Sequence, residues 1–216
     1  MLVAGTLALT LAAQAALGTA ETNRIEEAAL VLQQIHAVPD KDIPRGLWDR
    51  AQCVAVIPGL KKAAFIFGGE YGKGLVSCRT AQGWSAPSFF KIQKGSWGLQ
   101  IGGQSIDLVM LVMNQGGVDK LLRNKVTLGA DASVAAGPIG RDARAATDAV
   151  MKAEMLSYSR AQGLFAGIDL SGGIMAPDED ANQALYGRRI TAREILLEGT
   201  VATPAAAERF MAGLRR

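Results

Sequence analysis

CVAVIPGLKKAAFIFGGEYGKGLVSC, residues 53–78, is the stretch that decides the fold. It contains three short apolar runs, separated by Pro58-Gly59 and by a glycine-rich segment. Further runs of this kind follow along the chain, and the full series covers residues 53–57, 63–67, 74–78, 84–92, 96–102 and 105–113. Short apolar runs punctuated by glycine are typical of strands joined by tight turns. The sequence therefore predicts a curved antiparallel sheet or a partly closed barrel.

Two of these runs, 53–57 and 108–113, are apolar almost without interruption, which is typical of strands buried on both faces. Helices are predicted on either side of the sheet. Residues 24–37 carry apolar side chains at helical spacing, and a short helix is expected near Pro44. A last helix is predicted up to residue 214, with Thr203 as its N-cap. The predicted class is α+β, mostly β, with N-terminal and C-terminal helices.

The chain has 216 residues, of which 49% are hydrophobic and 20% charged, with 25 glycines. This composition indicates one globular domain over residues 21–216. The net charge of +3 is too small for a dedicated nucleic-acid binder, so no nucleic acid is predicted as partner. A mild basic bias does suit contact with an anionic membrane.

Residues 2–18 carry no charge and are followed by small residues up to Ala20. We interpret residues 1–20 as a signal peptide cleaved after Ala20, with cleavage after Ala15 as the alternative. No Lys or Arg precedes the apolar segment. A retained membrane anchor is the competing interpretation, although an apolar segment of about 17 residues is short for a span of about 20. Cleavage predicts an exported protein, periplasmic or associated with the outer membrane.

Cys53 and Cys78 are the two cysteines of the chain. Export permits a disulfide between them. A simple meander of the runs 53–57, 63–67 and 74–78 would instead place the two residues at opposite ends of strands that are not neighbours. The sequence therefore favours buried free thiols, with a Cys53–Cys78 disulfide as the alternative.

No pattern of catalytic or metal-binding residues stands out. His36 is the single histidine, and residues 68–74 lack the spacing of a phosphate-binding loop. The acidic residues 178–180 suit the first turn of a helix, with calcium binding as the alternative. We predict no catalytic residue, metal or cofactor, and no enzyme. If an enzyme did exist here, its site would lie around Asp107, Asp131, Tyr158 or Arg160.

Basic residues near apolar or aromatic ones point to a lipid surface instead. Lys61 and Lys62 are expected in the turn after the first strand, and Lys73 in the next turn. The candidate lipid-binding residues are Lys61, Lys62, Lys73, Arg24, Arg45 and Trp48. Ordinary solvated charges are the competing explanation for the basic ones.

Many short strings in this chain occur in the order found in the SYLF domain. They are AVIPG at 55–59, FGG at 67–69, GKG at 72–74, WSAP at 84–87, GLQIGGQ at 98–104, the runs 107–114 and 128–140, YSR at 158–160, GLFAG at 163–167 and the run 182–187. Together they span about residues 25–197. The chain resembles this family on their number and order.

The resemblance implies a lipid-binding domain without catalytic residues. Eukaryotic members bind phosphoinositides, and some also bind actin and carry SH3 or FYVE modules. Exported bacterial members would not meet actin, so the resemblance implies lipid rather than actin as partner. It also places Gly68, Gly69, Gly102 and Gly103 among the shared strings, and we expect bends or bulges of the sheet there.

Two functions follow from these observations. The first is binding of an anionic phospholipid, or of a phosphoinositide-like lipid, at a membrane surface of the bacterial cell envelope. The second is a non-catalytic scaffold that binds an envelope protein through its sheet.

Overall fold

The computed structural model describes residues 18–37, 43–64, 67–97, 102–139, 152–161 and 164–215. Residues 1–17 of the predicted signal peptide lie outside this set. The first helix begins at Thr19, two residues before the predicted mature start. None of the helices in the described ranges is both long enough and apolar enough to cross a membrane.

The described strands form one sheet of ten strands that curls into a half-barrel. They are β1 (Cys53–Ala64), β2 (Phe67–Thr80), β3 (Gly83–Trp84), β4 (Ser88–Trp97), β5 (Gly102–Val112), β6 (Val126–Thr127), β7 (Val134–Ala136), β8 (Met155–Ala161), β9 (Leu164–Gly167) and β10 (Ile174–Pro177). Their order is β6-β10-β4-β2-β1-β5-β8-β7, with β3 beside β2 and β9 beside β8. All pairs are antiparallel except β7 with β8. The predicted curved, mostly antiparallel sheet is confirmed.

Helices lie at both ends of the chain and between the later strands. They are α1 (Thr19–His36), α2 (Arg45–Arg50), α3 (Gln115–Leu121), α4 (Glu179–Tyr186), α5 (Ala192–Leu197) and α6 (Glu208–Leu214). A 3₁₀ turn, Ala205–Ala207, leads into α6. The predicted Thr203 cap is wrong, because the residue preceding that turn is Pro204 and no side chain caps it.

The central strands are buried on both faces, as their apolar sequence predicts. Val54 and Val56 of β1 face a core shared with α1 and α6. Cys53, Ala55 and Ile57 face a second core shared with α3 and α5. Because side chains alternate along a strand, an uninterrupted apolar run can serve both cores at once.

The stretch 53–78 forms two long strands and not three short ones. The predicted run 63–67 is divided between the end of β1 and the start of β2. Cys53 and Cys78 are therefore directly opposite each other, with Cα atoms 3.9 Å apart, and they form a disulfide. The expectation of separate thiols is wrong, because it rested on a three-stranded meander.

The irregular point of β1 lies at Pro58-Gly59. The pairing of β1 with β5 shifts register between Ile57 and Leu60, and Gly59 has φ +58°. Glycine is favoured there because a side chain would be strained in the left-handed region. By contrast, Gly68, Gly69, Gly102 and Gly103 pair in regular register with Ala63 and Ala64. The bulge is therefore earlier in the strand than the sequence suggested.

Candidate functional site

A hydrogen-bonded group of side chains fixes the bulge of β1. The Asp107 carboxylate accepts the Gly59 N–H at 3.0 Å, and its second oxygen accepts Nε and Nη2 of Arg160 at 3.0 and 2.6 Å. On the other side, Arg24 Nη1 of α1 donates to the Pro58 carbonyl at 2.9 Å. The backbone groups exposed by the bulge are thus bound by charged side chains from α1 and β5, and Arg160 of β8 holds the β5 carboxylate in place.

A cavity of about 430 Å³ opens beside this group, between α1 and the strands β1, β5 and β8. We call it the bulge cavity. Its lining includes charged and polar side chains, the exposed Leu30 and the bulge glycine: Arg24, Glu27, Leu30, Gly59, Lys61, Ser105, Asp107 and Arg160. Among the cavities found in the described structure, this one combines several cations with an apolar rim.

The polar end of the bulge cavity lies in front of Gly59. A methyl group built on Gly59 would lie 3.5 Å from Ser105 Oγ and 3.7 Å from Arg24 Nη1. Arg24 Nη1 already donates to the Pro58 carbonyl and to Glu27, so the Ser105 hydroxyl is the donor that remains for a ligand in this small space. Arg24 also pairs with Glu27 at 3.0 Å, one helical turn further along α1.

Lys61 is exposed on β1 beside this polar end. Its neighbours across the sheet are Ser105 of β5 and Tyr71 of β2, so the three side chains project from the same face. Within the described ranges, no hydrogen bond or ion pair engages the Lys61 ammonium group. It is a cation available to a ligand.

Two large apolar side chains are exposed close to this cation. Leu30 of α1 is 45% exposed at the rim of the bulge cavity, and Tyr71 is 44% exposed beside Lys61. They are the two large hydrophobic residues found exposed in the described structure. Apolar surface beside a free cation is typical of a site that meets a lipid interface.

The structure brings together only part of the predicted lipid-binding set. Arg24 and Lys61 both line the bulge cavity. Lys62 follows in β1, where its backbone pairs with Glu70 and Gln104. Lys61 and Lys62 lie within a strand and not in a turn, because β1 continues to residue 64.

Lys73 has a different environment from the one predicted. It lies within β2 and forms an ion pair of 2.6 Å with Asp178, whose side chain is only 4% exposed. The hydrogen bond that Lys73 donates to the Asp178 carboxylate raises the pKa of Lys73 above its usual value. Asp178 is the N-cap of α4, as suits the predicted acidic first turn. We therefore interpret Lys73 as a residue that stabilises the fold and not as a lipid contact.

Trp48 and Arg45 lie at the far end of α1. Trp48 is buried at 1% exposure, donates its indole N–H to the Leu214 carbonyl and packs edge-on against His36. It is a core residue and cannot face a membrane in this structure. Arg45 is exposed on the same short helix. His36 is twelve residues beyond Arg24 on α1, a rise of about 18 Å, so Arg45 does not reach the bulge cavity.

The residues named for an enzyme site do not converge. Asp107 and Arg160 pair with each other, and Tyr158 is buried in the core, where burial raises its pKa. Asp131 is an exposed turn residue whose pKa is lowered by the Thr127 backbone N–H. In the described part of the chain, no group of three His, Cys, Asp or Glu side chains has the spacing of a metal site.

The comparison with protein families matches residues 93–216 to the Ysc84 family, described as "Las17-binding protein actin regulator". That match covers more than half of the chain. The chain belongs to the SYLF (Ysc84) family. The resemblance seen in the sequence is therefore confirmed, and its strings can be placed in the fold. Pro58-Gly59, Asp107 and Arg160 come from three separate strings and meet at the bulge.

Several eukaryotic proteins are similar to this chain. An SH3 domain-containing protein of Schizosaccharomyces pombe is 43% identical over 157 residues, 71% of this chain and 36% of that protein. LAS seventeen-binding protein 3 of Saccharomyces cerevisiae is 35% identical over 173 residues, 78% of this chain and 37% of that protein. The human SH3 domain-containing YSC84-like protein 1 is 32% identical over 190 residues, 85% of this chain and 55% of that protein. The chain thus spans between about a third and about half of the length of these relatives, of which the Saccharomyces cerevisiae protein is named as a binding protein.

Proposed function

We propose that this SYLF domain binds anionic lipid at a membrane surface of the cell envelope. The observation that carries the proposal is the exposed, unpaired Lys61 between the exposed Leu30 and Tyr71, at the mouth of the bulge cavity. A cation attracts an anionic surface, and flanking apolar side chains gain free energy by leaving water.

Export to an oxidising compartment is part of this proposal. The Cys53–Cys78 disulfide supports it, because such bonds persist in the periplasm and outside cells and are rare in the cytosol. The uncharged N-terminal segment that we interpret as a signal peptide supports it as well. An exported bacterial protein does not meet actin, so we propose lipid as the partner in place of the actin system in the family's description.

The test is vesicle co-sedimentation of protein recovered from the periplasm after expression of the full chain. Its intact mass reports whether the chain was cut after Ala20. Binding should be seen with anionic and not with neutral vesicles, and it should weaken as salt is raised. Lys61→Glu should reduce binding. Lys125→Glu serves as the matched control because Lys125 is exposed beside β6, which is separated from β1 by three strands of the sheet. Absence of binding to every vesicle would refute the proposal.

A second candidate function is binding of a protein partner through the sheet, as the name of the Las17-binding relatives suggests for those proteins. One observation favours it. β5 pairs with β8 only from Asp107 onward and β4 pairs with β10 only up to Gln93. Both outer segments therefore have a backbone edge that no other described strand covers, and such an edge can accept a strand from a partner.

Crosslinking in intact cells distinguishes this second function from the first. A photoreactive residue at position 96, on the open edge of β4, should give a defined protein adduct if a partner strand binds there. The same residue at position 125 is the control. Equal labelling at both positions, or none, would count against a partner at this edge.

A further inference from the structure

We propose that the bulge cavity holds the phosphodiester group of a single lipid headgroup, bound by Lys61 and Ser105 beside the Arg24 guanidinium. This inference rests on the proposed lipid-binding function and assigns its ligand chemistry. A volume of about 430 Å³ lies within the range of small-ligand pockets, about 300–1,000 Å³, and suits a headgroup better than a complete two-chain lipid.

The charge of the bulge cavity favours a ligand with one negative charge. Its lining contains three cations, Arg24, Lys61 and Arg160, and two carboxylates, Glu27 and Asp107. Arg160 pairs with Asp107, and Arg24 pairs with Glu27. Three positive and two negative charges leave one positive charge, which belongs to Lys61. A phosphodiester carries one negative charge and would neutralise it.

The two proposed donors, Lys61 and Ser105, are cross-strand neighbours that line the same cavity. Arg24 Nη1 and Ser105 Oγ converge on the space in front of Gly59, and Lys61 neighbours Ser105 across the sheet. That space exists because residue 59 has no side chain, since a methyl there would lie 3.5 Å from the Ser105 hydroxyl. Gly59 thus has two roles: it permits the bulge at φ +58°, and it leaves room for an oxygen of the ligand.

The orientation of the bound lipid follows from the rim. Leu30 is exposed on α1 at the rim of the cavity, and Tyr71 is exposed outside the lining as the cross-strand neighbour of Lys61. With the phosphodiester at the polar end of the bulge cavity, the glycerol and the first carbons of the acyl chains would pass these two side chains towards the bilayer. Asp107 and Arg160 are positioning residues, because Asp107 accepts the Gly59 N–H and Arg160 binds Asp107.

The decisive experiment uses soluble headgroup as the probe. Binding of glycerophosphoglycerol, glycerol 3-phosphate and inorganic phosphate is measured by calorimetry and by NMR shifts of the protein recovered from the periplasm. Saturable binding of glycerophosphoglycerol is expected. Ser105→Ala and Lys61→Gln should each weaken it, the latter about tenfold or more because a charge-assisted bond is lost. Lys125→Gln should leave the affinity unchanged.

Ser105→Ala is the most informative variant, since it changes no charge and removes no hydrogen bond to another described residue. Thermal unfolding confirms that each variant is folded. If vesicles bind but soluble headgroup does not saturate, or if Ser105→Ala binds like the parent, the site is refuted while lipid binding stands. If neither probe binds, the proposed function fails too. If inorganic phosphate or glycerol 3-phosphate binds as well as the diester, the preference for a diester headgroup is overturned.

Discussion

Breaking the Cys53–Cys78 bond removes a covalent link between the two longest strands. The two residues are 25 positions apart. In the chain-entropy model, closing a loop of about 25 residues lowers the entropy of the unfolded chain by about 12 cal/mol/K, or about 3.5 kcal/mol at 25 °C. A domain of about 200 residues unfolds with an entropy near 0.4 kcal/mol/K, so the melting temperature should fall by about 9 °C.

The assay compares the urea denaturation of oxidised and reduced wild-type protein, monitored by tryptophan fluorescence. Both cysteines are buried, at 0% and 1% exposure, so reduction is carried out in denaturant before refolding. Mass spectrometry of alkylated samples confirms the redox state of each. Cys53→Ala combined with Cys78→Ala is the control, and reductant should not change its midpoint. If the reduced wild type lost less than about 1 kcal/mol, the chain-entropy argument would be refuted for this protein.

Three further predictions concern side chains and glycines of the fold, each measured by urea denaturation. Gly95→Ala should raise the free energy of unfolding by about 0.5–1 kcal/mol, since a methyl there meets no atom within 4 Å. Gly74→Ala should lower the free energy of unfolding by more than about 2 kcal/mol, because the methyl would overlap the β1 backbone. A Gly95→Ala variant less stable than Gly74→Ala would contradict this argument. Tyr158→Phe should leave the free energy of unfolding unchanged or raise it by up to about 1 kcal/mol, because the buried hydroxyl has no hydrogen-bond partner in the described structure. A clear loss of stability would contradict this, since it would mean that the hydroxyl does make a hydrogen bond. The pKa of Lys73 is raised in the folded state by its pairing with Asp178. The stabilisation from this pair is therefore complete below about pH 10.5, the pKa of the unfolded lysine, and is lost as the pH rises through the pKa of the folded state. Over that pH range, the free energy of unfolding should fall more for the parent than for Asp178→Asn.

The layered arrangement was predictable because it follows from local patterns. The run 53–57 is apolar at every position, and the structure divides it between two cores. The helix predicted at 24–37 corresponds to α1, and the acidic run 178–180 does begin a helix. The helix α5 was missed although its signal is present: Thr191 and Glu194 form a capping box, with each side chain bonded to the other's backbone N–H.

The pairing of β1 with β2 was not predictable from glycine punctuation alone. Residues 72–74 suggested a turn, yet they lie inside β2. A methyl on Gly74 would collide with the Val56 carbonyl, so this glycine marks a close approach between neighbouring strands and not a change of direction. With the turn misplaced, Cys53 and Cys78 were assigned to distant strands, and their bond could not be foreseen.

The bulge cavity could not be predicted from the sequence for a different reason. Its frame joins Gly59 to Asp107 and Arg160, which are 48 and 101 residues further along the chain. No local pattern shows that these residues meet. Asp107 could only be noted as a carboxylate in apolar surroundings that needed a partner. Its partners became clear when the strand order placed β5 between β1 and β8.

The frame and the contacts of this cavity come from different parts of the sequence. Pro58-Gly59, Asp107 and Arg160 belong to the strings that carry the family resemblance, and they bond to one another. Lys61 and Ser105, the proposed headgroup contacts, lie outside those strings but on β1 and β5, the strands that also carry Gly59 and Asp107. A fixed bulge can therefore keep the cavity open while its lining changes one side chain at a time. On the proposed function, the shared strings supply the frame of the site, whereas the choice of headgroup would depend on the charge at position 61 and the donor at position 105.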